Sequence, residues 1–161
     1  MNQTVLDSIE ADIASLTREV DPLDEPLGYG RDLSCVTDVT DNLDEVDPES
    51  PQGIAESSMR RLISPRGSLY EDPDYGLDLR SICNKGVTYE ELREIADQAR
   101  AEVKKDDRVE DAQVTLDYDD LSSTLSVEVL LMPADPALGD FTFIFTVGED
   151  GTPLLESLTT S

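Results

Sequence analysis

Three aspartates in the middle of the chain come nearest, by type and spacing, to catalytic chemistry. Asp72, Asp74 and Asp78 could supply a pair of carboxylates for acid–base catalysis. The same spacing around Pro73 and Gly76 is also what a turn requires. The chain contains no histidine, which removes Ser-His-Asp and Cys-His catalysis and His-ligated metal sites. We therefore predict that the protein is not an enzyme and needs no metal or cofactor.

Seven arginines lie between residues 51 and 108 of a very acidic chain. They are Arg60, Arg61, Arg66, Arg80, Arg93, Arg100 and Arg108. A guanidinium group suits planar, partly buried pairing with a carboxylate. Two interpretations stay open, which are internal pairing with Asp72, Asp74 or Asp78 and contact with a partner protein.

The charge of the chain is −25 and is unevenly distributed. Residues 1–50 hold 14 acids and 2 bases, residues 51–108 hold 12 acids and 10 bases, and residues 109–161 hold 11 acids and no base. Phosphate contacts need clustered Lys and Arg, so direct nucleic-acid binding is not expected. A basic protein partner fits this distribution. A plain solvated acidic surface, as in proteins of salt-loving hosts, is an equally open interpretation of most of the charge.

Two helices and a sheet must position these residues. Ser50 and Pro51 are typical of a helix start and predict a first core helix over residues 51–63. Thr88 and Glu91 form a capping box that predicts a second core helix over residues 88–105. Alternating apolar residues predict strands over 114–118, 125–131 and 141–147, and the leucines after residue 153 form a last short strand or helix. The expected fold class is α+β, a small antiparallel sheet with two core helices on one face.

The first fifty residues are expected to form an extension to a core domain over residues 51–161. An apolar stripe at helical spacing predicts an N-terminal amphipathic helix over residues 4–20, and an acidic loop follows it. The stripe consists of Val5, Ile9, Ile13, Leu16 and Val20. The N-terminus lacks the basic start and apolar core of a signal peptide, and no stretch approaches the roughly 18 apolar residues of a membrane span. No membrane partner is expected.

The segment from Met59 to Leu79 carries the most specific pattern in the chain. A helix with a basic end leads into a turn at Pro65 and Gly67, and a second turn follows at Pro73, Tyr75 and Gly76. This order resembles the short baseplate wedge proteins of contractile phage tails, whose relatives occur in type VI secretion and extracellular injection systems. The resemblance covers about residues 28–131 and is strongest over residues 51–80.

The resemblance extends to the loop before the first predicted strand. The family has Glu-Pro-Arg and an apolar residue there, and this chain has Asp106-Asp107-Arg108-Val109. The resemblance implies that Arg108 and Val109, together with the basic residues Arg60, Arg61 and Arg66, contact larger baseplate wedge proteins. It also implies contact with the tail sheath protein and six copies per baseplate. The location would be a virion tail baseplate or the cytoplasmic baseplate of an injection system.

Two other functions stay open beside the structural one. The acidity favours a binding module, such as an inhibitor or nucleic-acid mimic, that blocks a basic protein surface. A small hydrolase would need two carboxylates facing each other across a cleft, and the sequence offers no specific sign of one.

Overall fold

The computed structural model of the protein describes residues 32–34, 45–83, 85, 87–148 and 151–160. All of them belong to one compact unit, Arg31–Ser161. The predicted helix over residues 4–20 and most of the acidic loop lie outside the described residues. Two short strands, β1 (Asp32–Leu33) and β2 (Glu45–Val46), pair with each other ahead of the first core helix. The α+β class is confirmed by the helices and the four-stranded antiparallel sheet that follow.

Helix α1 spans Pro51–Ile63, as the sequence predicts. The hydroxyl of Ser50 caps it by accepting the N–H of Gly53 at 3.1 Å. The helix ends because Pro65 disfavours the helical conformation at the preceding residue, and Ser64 is extended, with φ −77° and ψ 134°. The chain then makes the two turns and a short 3₁₀ helix, Leu79–Ser81.

Helix α2 spans Tyr89–Val103, within the predicted range. Its capping box is confirmed, because Glu91 accepts the N–H of Thr88 at 2.8 Å and donates its own N–H to the Thr88 hydroxyl at 3.4 Å. Leu92, Ala99 and Val103 are buried. The apolar stripe of this helix therefore faces the core.

The sheet is a meander of four antiparallel strands in the order β3-β4-β5-β6. They are β3 (Val109–Asp119), β4 (Thr124–Pro133), β5 (Phe141–Val147) and β6 (Pro153–Thr160). A register shift between Val109 and Asp111 makes the strand irregular there and breaks the alternation of side chains. That irregularity explains why alternation alone predicts β3 only from residue 114.

The two helices pack on one face of the sheet, α2 against β3 and α1 against β5 and β6. Strand β5 shows the alternation most clearly, because every second residue is buried. Its rings at Phe141, Phe143 and Phe145 are fully buried. The layer arrangement leaves both long edges of the sheet, β3 and β6, without a paired strand among the described residues.

Candidate functional site

The two turns after α1 fold against each other. Gly67 donates its N–H to the carbonyl of Pro73 at 2.9 Å, and Arg66 donates its Nε–H to the carbonyl of Gly76 at 2.9 Å. Asp78 donates its N–H to the carbonyl of Ser64 at 3.0 Å. The turn residues singled out in the sequence therefore form the base of one loop, residues 65–76.

Glu102 holds this loop to the end of α2. Its carboxylate, with the side chain only 1% exposed, pairs with Arg61 at 3.1 Å, Arg66 at 3.3 Å and Lys105 at 2.8 Å. It also accepts the backbone N–H of Gly76 at 2.9 Å. We call these five residues the Glu102 cluster. A buried carboxylate is retained in a protein when charged and polar partners compensate its lost hydration.

Sequence reasoning missed Glu102, although one signal for it was present. Glu102 lies three residues after Ala99 and seven after Ile95, which places it on the apolar stripe of α2. A charged residue at such a position needs buried partners. The sequence spacing instead suggests Asp72, Asp74 or Asp78 as partners of the nearby arginines.

Tyr75 joins the cluster through its ring. The Arg61 guanidinium carbon lies 4.3 Å from the centre of the Tyr75 ring, within the range of a cation–π contact. Burial raises the pKa of the Tyr75 hydroxyl and outweighs the nearby arginines, which lower it. The aromatic residue of the second turn therefore covers the arginine at the end of α1.

The structure places the other candidate contact residues in different surroundings. Arg108 pairs with Asp106 and donates to the carbonyl of Pro48 at 2.7 Å, so its guanidinium group binds its own chain. Val109 is buried in the hydrophobic core. Arg60 donates to the carbonyl of Leu33 at 3.4 Å.

The arginines use carboxylates other than the three turn aspartates. Arg100 pairs with Asp111 at 2.9 Å. Hydrogen bonds from Arg100, the Ala112 N–H and Lys104 together lower the pKa of Asp111 to about 2. Internal pairing, one of the two interpretations left open, thus holds for Arg61, Arg66, Arg100 and Arg108, with different partners from those considered.

The exposed part of the 65–76 loop carries two apolar side chains. Tyr70 is 98% exposed, and Leu69 beside it is about half exposed. Arg66, at the base of the loop, keeps 56% of its side chain accessible while it pairs with Glu102. Tyrosine and arginine are among the side chains that most often dominate protein–protein contacts.

The edge strands differ in their charge. Strand β3 carries four acids in eleven residues, and β6 carries only Glu156 in eight. Charged side chains on an edge strand oppose pairing with another chain. Strand β6 also has a register shift opposite Ile144 and Phe145, which leaves residues 157–160 as its longest regular stretch. Strand β5 lies between β4 and β6, so it has no free edge for another chain.

No group of three or more His, Cys, Asp or Glu side chains in the described part of the chain could hold a metal ion. Among the same residues, no helix has the length and apolarity needed to cross a bilayer. No family model matches the chain, and no curated protein matches it.

The pH dependence of stability should reveal the charge on Glu102. Burial raises its pKa, but hydrogen bonds from Lys105, Gly76 and Arg61 outweigh burial and hold the pKa below its ordinary value. A depressed carboxyl pKa contributes stability above the unfolded-state pKa, roughly 4.3 for Glu. That stability is lost as pH falls through the folded-state pKa. Denaturant unfolding of the wild type and Glu102→Gln at several pH values should therefore give a difference that shrinks below about pH 4.

The comparison with the variant is needed because other groups titrate in the same window. Hydrogen bonds lower the pKa of Glu91, Asp111 and Asp119, and pairing with Arg108 outweighs burial to lower that of Asp106. Subtracting the variant curve removes these shared contributions. A difference that stays constant from pH 7 to pH 3 would mean that folding does not shift the pKa of Glu102, and a difference that grows as pH falls would mean that burial raises this pKa.

Proposed function

We propose that this protein is a structural, non-enzymatic subunit of a contractile tail baseplate wedge, bound to larger wedge proteins and seeding the first sheath ring. The sheath role is supported by strand β6, which forms an edge of the sheet. It has eight residues and a single acid, and no strand pairs with its outer side among the described residues. An extended segment of another chain can add to such an edge through main-chain hydrogen bonds.

The surroundings of β6 favour a basic segment as the added strand. No Lys or Arg occurs after Arg108, whereas 11 acids do. Long-range attraction of this kind raises the association rate and selects oppositely charged partners. The strand edge would set the register of the added chain, and the charge would speed the encounter.

The 65–76 loop supports a separate contact with the larger wedge proteins. Its base is held by the Glu102 cluster, and its exposed tip carries Leu69 and Tyr70 beside the half-exposed Arg66. A loop that is already ordered loses less conformational freedom on binding. Arg108 instead holds residues 45–50 to the core, because it donates a hydrogen bond to the carbonyl of Pro48. The family resemblance implies six copies per baseplate, in a virion tail or in a cytoplasmic injection machine.

A proline on the outer edge of β6 tests the sheath role. Amides in an edge strand alternate between those bonded to the neighbouring strand and those pointing outward, so hydrogen exchange will identify whether Thr159 or Thr160 has the outward amide. Proline at that position should leave the subunit folded and incorporated, because it removes no internal hydrogen bond. Sheath growth on isolated baseplates should be abolished, as measured by electron microscopy of assembled tails.

Valine at the same position is the matched control, because it changes the side chain and keeps the N–H. Normal sheath growth with proline would mean that the seeding edge is not β6. Absence of the protein from purified baseplates would overturn the structural role altogether.

A second candidate is an acidic binding module that blocks a basic protein surface. The observation that favours it is the absence of any base from residues 109–161. Such a module would bind a basic protein in isolation and would make no sheath contact. Copy number in assembled particles separates the two functions, because a blocking module has no fixed stoichiometry there.

A further inference from the structure

A groove lies between α2 and the segment that leads into it. It has a volume of about 400 Å³ and is open to the surface on the side of α2 that carries Glu91, Glu94 and Ile95. The opposite wall is formed by Leu77, Asp78, Ser81, Ile82, Lys85 and Val87. Pockets of this size hold one or two side chains or a small molecule. The groove uses neither β6 nor the 65–76 loop tip.

The floor of the groove is apolar. Leu77, Val87 and Ile95 are half-buried, and Ile82 is buried among them. An apolar group entering the groove would remove this surface from water, which stabilises binding in proportion to the area covered.

The rim of the groove is mostly acidic. Asp78, Glu91 and Glu94 line it, together with one exposed cation, Lys85. The carboxylate of Glu91 accepts hydrogen bonds from Thr88, as part of the capping box. The carboxylates of Asp78 and Glu94 form no ion pair within the part of the chain that the structure describes. The groove therefore combines an apolar floor with two carboxylates available to a cation.

We infer that this groove binds an arginine- or lysine-bearing apolar segment of a partner protein. An apolar side chain would cover the floor, and the neighbouring cation would lie between Asp78 and Glu94. Charge complementarity selects this occupant over an acidic one, because an anion would meet three carboxylates on the rim and only one cation, Lys85. The inference does not rest on the baseplate assignment, since it follows from the groove alone.

Small probes test each half of the occupant separately. Phenethylguanidinium carries both the apolar group and the cation. Phenethyl alcohol carries only the apolar group, and guanidinium carries only the cation. Methyl NMR of the full chain should show saturable shifts at Ile82 and Ile95 with phenethylguanidinium, and a millimolar dissociation constant. The two partial probes should bind at least several-fold more weakly. Equal binding of either partial probe, or no shifts at these methyl groups, would overturn the inference.

Two double variants show whether the groove carboxylates are responsible. Asp78→Asn with Glu94→Gln should weaken binding of phenethylguanidinium about tenfold, since each partly exposed pair contributes a modest amount. Asn also tolerates the left-handed conformation of Asp78, at φ 61°. The control, Glu90→Gln with Asp97→Asn, removes the same charge from exposed positions of α2 that do not line the groove. Equal weakening in both variants would mean general attraction to an acidic surface and would refute a specific site.

Discussion

Replacement of Glu102 by alanine should lower the free energy of unfolding by about 3–5 kcal/mol, the usual cost of removing one partner of a buried ion pair. The Arg61 side chain is 15% exposed and would lose its carboxylate partner at 3.1 Å. The buried N–H of Gly76 would lose its acceptor as well. Lys105 and Arg66 contribute less, because water reaches both of them. Chemical denaturation at pH 7 measures the loss.

Two further variants make this expectation specific. Glu102→Gln keeps an oxygen that can accept the Gly76 N–H, so its loss should be smaller than that of the alanine variant. Asp111→Asn removes a carboxylate of equal charge from an exposed pair with Arg100 and Lys104, and should move the unfolding midpoint little. A loss below about 1 kcal/mol for Glu102→Ala would mean that water replaces the carboxylate at low cost, as it does at surface pairs.

Replacement of Gly76 by alanine should also destabilise the protein strongly, for two physical reasons. Gly76 has φ +103°, a backbone conformation that costs other residues roughly 1–3 kcal/mol. A Cβ atom there would lie 2.2 Å from the carbonyl oxygen of Ser64, so the backbone itself must shift. Overpacking of this kind typically adds about 1–3 kcal/mol. Valine should cost at least as much as alanine, and calorimetry or denaturant unfolding will detect either change.

Gly67 provides the matched control for the contact with Ser64. It has φ +76°, and a Cβ atom there would meet nothing within 4 Å. Gly67→Ala therefore isolates the backbone strain, about 1 kcal/mol or somewhat more. Equal losses for the two alanine variants would show that the close approach of Gly76 to Ser64 is relieved without cost.

These two sites lie in the same part of the molecule and should not be additive. The Gly76 N–H donates to Glu102, and the Gly76 carbonyl accepts from Arg66. Variants that share partners usually show coupling in a double-mutant cycle. Loss of the cluster would also release the 65–76 loop, so the wedge contact that we propose for this loop should weaken together with stability.

Local signals in the sequence predicted most of the secondary structure. The cap at Ser50 and the box formed by Thr88 and Glu91 set both helix starts, because capping involves residues only three positions apart. Alternation predicted β4 and β5, because every second side chain of a strand enters the core. The early part of β3 was missed because its register shift breaks that period.

The turns were predicted for a similar reason. Proline restricts the residue before it, and glycine permits a left-handed backbone, so Pro65 and Gly76 indicate a helix end and a chain reversal without knowledge of distant contacts. Gly76 is indeed left-handed. The sequence could not reveal that Gly76 approaches the Ser64 carbonyl, since this contact joins two turns.

The sequence by itself determined the α+β class, both core helices, the central strands and the two turns, because each depends on neighbouring residues. The tertiary structure alone decided which charges meet and which strand forms the edge. Thirty-seven acids and twelve bases allow many pairings, and only the packing of α2 brings Glu102 to Arg61, 41 residues away. The strand order also depends on tertiary packing, because the sequence pattern does not show which strands lie at the edges of the sheet. In the folded protein β5 lies inside the sheet and β6 forms one edge.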